Sequence, residues 1–169
     1  MTIREQLAGL AGKATWRILV LFTCELVEHA KEALLPEEKE SDYAARVCTI
    51  LKTARNWTPD TDIGPALAAS RGVNPYHHRP DRHMGADWYL YLAAQQLAWI
   101  LDAKTVNASR LEAAADAARD SVSRAAAPRQ GDRARWLDEG CWQIKGLSQL
   151  VYPALPKAEG RLRNSLLAS

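Results

Sequence analysis

Apolar residues in this chain recur every three or four positions over long stretches and never alternate with polar ones for a strand's length, a rhythm that dictates helices. Across residues 13–35, Trp16, Leu19, Val20, Thr23, Val27, Ala30 and Leu34 share one face, while Arg17, Glu28 and Glu32 fall on another. Pro36 stops this segment, and Glu37, Glu38, Lys39 and Glu40 form a charged connection. A second helix is expected from Ser41 to about Trp57, with Ala44, Val47, Cys48, Leu51 and Ala54 inward and Thr58-Pro59-Asp60 as its stop. Asp62-Ile63-Gly64-Pro65 opens a short helix closed by Gly72. Residues 73–84 are an irregular basic loop holding Pro75, Pro80 and three histidines. The segment from Gly85 to Asp102 is apolar on nearly every face, as suits the centre of a bundle. Ser109 with Glu112 reads as a capping box for an alanine-rich helix ending before Pro128. Asp132 caps a further helix through Val151, and a short helix over 157–167 follows Pro153 and Pro156. With no hairpin signal, the expected fold is all-α: a single compact bundle of six or seven helices spanning residues 1–169 as one domain.

Composition narrows the function classes. Among 169 residues, 22 Lys+Arg against 20 Asp+Glu leave a net charge of only +2, which argues against wholesale electrostatic binding of nucleic acid or membrane. Hydrophobic residues at 47% exclude disorder. Cys24, Cys48 and Cys141 are odd in number and widely spaced, matching neither a disulfide framework nor a metal motif. With no basic-then-apolar leader at Met1, the expected compartment is the reducing cytoplasm. The longest apolar segment is too short for a comfortable membrane span.

No local constellation reads as an active centre. His77, His78, Asp81 and His83 offer metal-ligand chemistry, but adjacent side chains point apart, and Arg79 and Arg82 would repel a cation from the same loop. A polar, proline-stiffened loop is the plainer reading, with phosphate or single-strand contact beside Tyr76 as the alternative. Glu25, Glu28 and Glu32 line one helix face as a solvated acidic stripe and lack the Glu-x-x-His partner of a di-iron bundle. Cys48 and Cys141 fall in apolar periodicity and are expected in the core, as are Trp16, Trp88, Trp99 and Trp142. Trp57 and Trp136, at segment ends, are candidates for stacking or a partner surface. Charge is also uneven along the chain. Residues 25–42 hold seven acids against Lys31 and Lys39, and residues 104–169 hold eleven Lys+Arg against seven acids. Such polarity fits head-to-tail self-association or one face along a phosphate backbone, unless the charges are merely scattered.

Four stretches carry a family likeness. They are ELVEHAKEALLPEE over 25–38, Asp42-Tyr43-Ala44-Ala45-Arg46 continuing through Leu51-Lys52-Thr53-Ala54, the glycine-led 63–72, and 136–150 with Glu139, Trp142, Lys145 and Leu147. Together they resemble the small subunit of type III-B (Cmr) CRISPR ribonucleoprotein effectors. The resemblance implies a non-catalytic subunit without cofactor or metal, set among backbone and other effector subunits along guide RNA and target RNA. It places RNA backbone contacts on Lys52, Arg55, Arg71 and Lys145, each a sequence-independent ionic contact. The competing reading is a helical immunity- or adaptor-type protein of a bacterial conflict system, binding a protein partner with no RNA role. A metal-dependent bundle enzyme using the histidine loop is a third.

Overall fold

Helix starts in this protein are written in small polar side chains. In the computed structural model, which describes residues 1–71 and 84–152, Thr2 opens α1 (Ile3–Ala11) with a reciprocal box. Its Oγ1 accepts from the Glu5 amide at 3.2 Å, and the Glu5 carboxylate accepts from the Thr2 amide at 2.6 Å. Those hydrogen bonds hold the Glu5 carboxyl below its ordinary pKa. Thr15 caps α2 (Trp16–Glu32) and Ser41 caps α4 (Asp42–Arg55) through their hydroxyls alone, which accept from the Ile18 and Ala44 amides. The single turn α3 (Pro36–Lys39) lies between them. The short α5 (Gly64–Ala69) precedes α6 (Ala86–Ala103), whose N-terminus is capped from a distance: Glu38 of α3 accepts from the Asp87 amide at 3.3 Å. α7 (Ala108–Ala126) and α8 (Arg133–Val151) follow, capped by Asn107 and Asp132.

The fold is all-α, with eight helices and no strand among the described residues. α6 is the hub. It packs against α7, α4, α2 and α5, and it buries Leu90, Tyr91, Ala93, Ala94, Leu97, Ala98, Ile100 and Leu101. This matches its near-continuous apolar sequence. α7 presents Leu111, Ala114, Ala115 and Ala118 to the core, and those short side chains let helices approach closely. α8 lies over α7 and is flanked by α1 and α2. Two glycines permit that seat. A Cβ at Gly140 would collide with the Ile3 side chain, and one at Gly146 would lie 3.3 Å from the Phe22 ring. At the α7–α8 corner Gly131 adopts φ +71°, a conformation that favours glycine, while Ser123 ties the corner by accepting from the Asp132 amide at 2.6 Å.

Four expectations need correction. α1 was not foreseen, since the first helix was expected only from Lys13, and with α3 it raises the count above seven. Ser109 does not open α7: Asn107 does, its side chain accepting from the Arg110 amide at 3.2 Å. Cys48 and Cys141 are exposed, and Cys24 is the buried cysteine. Trp16, Trp88, Trp99 and Trp142 are only half-buried; Trp16, Trp88 and Trp142 pack at the edge of the core, and Trp99 lies under the Arg110 guanidinium. Trp16 shows why: its Nε1 donates to the Ile100 carbonyl at 2.8 Å while Trp57 meets it edge-on at 4.8 Å. The histidines of 73–84 and the helix over 157–167 lie outside the described residues. Among the described residues no helix is long and apolar enough to cross a membrane.

Candidate contact face on the last helix

The four basic residues assigned to RNA sit in different settings. Lys52 and Arg55 are exposed on α4, Arg71 is exposed just after α5, and Lys145 is exposed on α8. α4 and α8 each pack on α2. Arg55 is already engaged: its Nε donates to Glu28 Oε1 at 2.9 Å and its Nη2 to Glu28 Oε2. This fork lowers the Glu28 carboxyl pKa and raises that of Arg55. Glu28 is therefore tied into an ion pair while its side chain stays 42% exposed, and Glu32 is exposed as well. Lys31, beside it, donates to the Cys48 thiol at 3.1 Å. Arg71 offers its carbonyl to Arg46, whose Nη1 also reaches the Ala69 carbonyl.

Sequence periodicity missed a polar seam between α7 and α8. Arg119, with 1% of its surface exposed, donates to Gln143 Oε1 at 2.6 Å and to Asp116 Oδ1, while its Nε has no hydrogen-bond partner. Burial pulls its pKa down, opposed by Asp116, Asp120 and Glu139. Gln143 also donates to the Ala115 carbonyl at 3.1 Å. One turn earlier on α8, Glu139 is 3% exposed and meets His29 Nδ1 at 3.0 Å. Burial raises the Glu139 pKa despite that contact. The His29 ring stacks on Trp142 with centroids 4.0 Å apart. Trp136 donates from Nε1 to Asp120 at 3.0 Å, and its centroid lies 4.6 Å from the guanidinium carbons of both Arg119 and Arg133.

These side chains line two open grooves on opposite flanks of α8. The groove toward α1 has a volume of about 500 Å³ and is bounded by Ile3, Arg4, Asp116, Arg133, Trp136 and Leu137. The groove toward α2, about 430 Å³, is bounded by His29, Glu32, Arg135, Asp138, Glu139 and Trp142. Between them runs an exposed ridge of Ala134, Asp138, Cys141, Lys145 and Gln149, spaced by three and four. Aromatic walls with charged rims suit the capture of another molecule's side chains. Among the described residues no group of three or more His, Cys, Asp or Glu could hold a metal ion. Trp136, at a segment end, and the 136–150 stretch with Glu139, Trp142 and Lys145 were the sequence signals that fall here; the seam partners Arg119 and Gln143 gave none.

No family model matches the chain, and comparison with curated proteins and with solved structures finds no match either.

Proposed function

We propose that this chain is a non-catalytic helical binding protein that acts by surface contact with another protein, as an immunity- or adaptor-type protein of a bacterial conflict system does, using the outer face of α8. The observation that carries this reading is the pair of tryptophan-walled grooves bracketing one exposed helix, with Leu137 still 42% exposed beside Trp136. Trp and Arg are the residue types that dominate binding energy at protein interfaces, and here they line both flanks of the same helix. The polar groups beneath are consumed by one another, Arg119 by Asp116 and Gln143, and Glu139 by His29. Their role in this reading is to fix the face, which preorganises it for docking. Free thiols at Cys48 and Cys141 suit a reducing, cytoplasmic setting.

A second reading, the small subunit of a type III-B effector beside guide and target RNA, is favoured by Lys52, Arg71 and Lys145, which are exposed and have no ion pair among the described residues. Titration of a labelled 20-nucleotide single-stranded RNA separates the two. Protein contact expects only weak binding, with a dissociation constant on the order of 10⁻⁴ M at physiological salt. Binding tighter than about 10⁻⁶ M, with a salt slope that falls in a Lys52→Glu/Arg71→Glu variant, would replace the first reading by the second.

A further inference from the structure

Lys31, near the end of α2, and Cys48, in the middle of α4, bring an amine and a thiol together. The Lys31 Nζ donates to the Cys48 Sγ at 3.1 Å, between residues 17 positions apart. The acid one turn back on α2, Glu28, is held by the Arg55 fork. Lys31 itself has no ion pair among the described residues, so its ammonium rests on sulfur. Cys48 is an exposed free thiol. Lys31 is half-buried and borders a groove of about 260 Å³ shared with Glu28, Glu32 and Lys39. A small reagent can reach the sulfur from solvent, and whatever it leaves there lies against the amine.

We propose that Cys48 and Lys31 form an acyl-relay site, at which the thiol takes an acyl group from a small thioester and passes it to the lysine. The first step is thioester exchange. The Cys48 thiolate attacks the carbonyl carbon, a new C–S bond forms, and the donor thiol leaves with the proton that Cys48 gave up. In the second step Lys31 yields one proton to water, and its free amine attacks the same carbon. The C–N bond forms, the C–S bond breaks, and a second proton passes from nitrogen to the departing sulfur, which restores the Cys48 thiol. A carbon bonded to Sγ lies within bonding reach of Nζ at the observed separation, so the transfer is intramolecular and needs no backbone movement. The product is an amide in place of an ammonium, which removes one positive charge from the groove beside Glu28 and Glu32. Neither residue lies on α8, so the site stands apart from the proposed contact face.

Incubation of the full chain with acetyl-coenzyme A tests this, with the Cys141→Ser substitution present so that Cys48 is the only exposed thiol. Acetylation is mapped by peptide mass spectrometry. The expected product is an amide on Lys31 that survives hydroxylamine. It should form about 10-fold or more faster than the amide on Lys39, the exposed lysine of the same groove. Adding Cys48→Ser is expected to bring Lys31 down to the rate of Lys39. Adding Lys31→Arg instead keeps a cation beside the sulfur and is expected to trap the acetyl group on Cys48 as a hydroxylamine-labile thioester. Lys31 acetylated no faster than Lys39, a Lys31 rate unchanged by Cys48→Ser, or a thioester that stays on Cys48 while Lys31 is present overturns the proposal. The RNA titration is read separately, and neither result moves the other.

Discussion

Replacing Arg119 by Met should cost about 2 kcal/mol of stability, and the components of that figure can be worked one at a time. Met fills much of the guanidinium's path with an unbranched apolar chain, so little cavity is left. The charge-assisted hydrogen bond to Gln143, 2.6 Å long and fully buried, contributes about 1.5–3 kcal/mol. The ion pair to Asp116 adds at most about 1 kcal/mol, because that carboxylate is 37% exposed and screened by water. Stacking on Trp136 at 4.6 Å adds about 0.5–2 kcal/mol. Against these stands the relief of a desolvated cation, which amounts to several kcal/mol and keeps the net loss small. What decides the sign is the Gln143 oxygen, left buried without a donor. Thermal unfolding followed by tryptophan fluorescence should show the loss as a midpoint temperature lower by about 4–8 °C. The double variant Arg119→Met/Gln143→Leu removes both partners and should recover more than half of it. A single variant within about 0.5 kcal/mol of the parent, or a double variant with no coupling, would refute the view that these residues form one polar unit.

Stability should also depend on Glu139. Burial raises its folded pKa above 4.5, so the folded chain holds this proton more tightly than the unfolded chain does. The resulting stabilisation is present at acid pH and is lost as pH rises through the folded value; Glu139→Gln should flatten that part of the pH–stability profile, and an unchanged slope would refute the assignment. At the start of α7, Asn107→Ala should cost about 1 kcal/mol in denaturant unfolding, whereas Ser109→Ala should lie within about 0.5 kcal/mol of the parent. Thiol titration with Ellman's reagent on the native protein should find Cys48 and Cys141 quickly. Cys24, whose thiol burial pushes up to about 12, should react only on unfolding.

The helices were legible because their signals are local. The Ser41 and Asp132 caps and the three-to-four period need only neighbours within about a turn. Pro36, read as the stop of the helix over 13–35, instead opens α3 as its first residue after α2 has ended at Glu32. α1 carried an equally local signature in Thr2 and Glu5, which the start at Lys13 passed over. The centrality of α6 was readable for the same reason, since a helix apolar on nearly every face has to be surrounded. Exposure was harder. Cys48 and Cys141 share the apolar rhythm of their helices, yet each sits on the outer side, because periodicity defines a face without saying which neighbour covers it.

Residue order by itself thus determined an all-α chain, most of its boundaries and its central helix, since hydrogen bonding, caps and breakers act over a few residues. Tertiary structure alone assembled the proposed contact face. Arg119 and Gln143 lie 24 positions apart, and His29 and Glu139 lie 110 apart, so neither pair leaves a trace in local spacing. The same packing set α8 between α1 and α2, with Gly140 against Ile3 and Gly146 against Phe22. That seat set a tryptophan-walled groove on either side of a single helix.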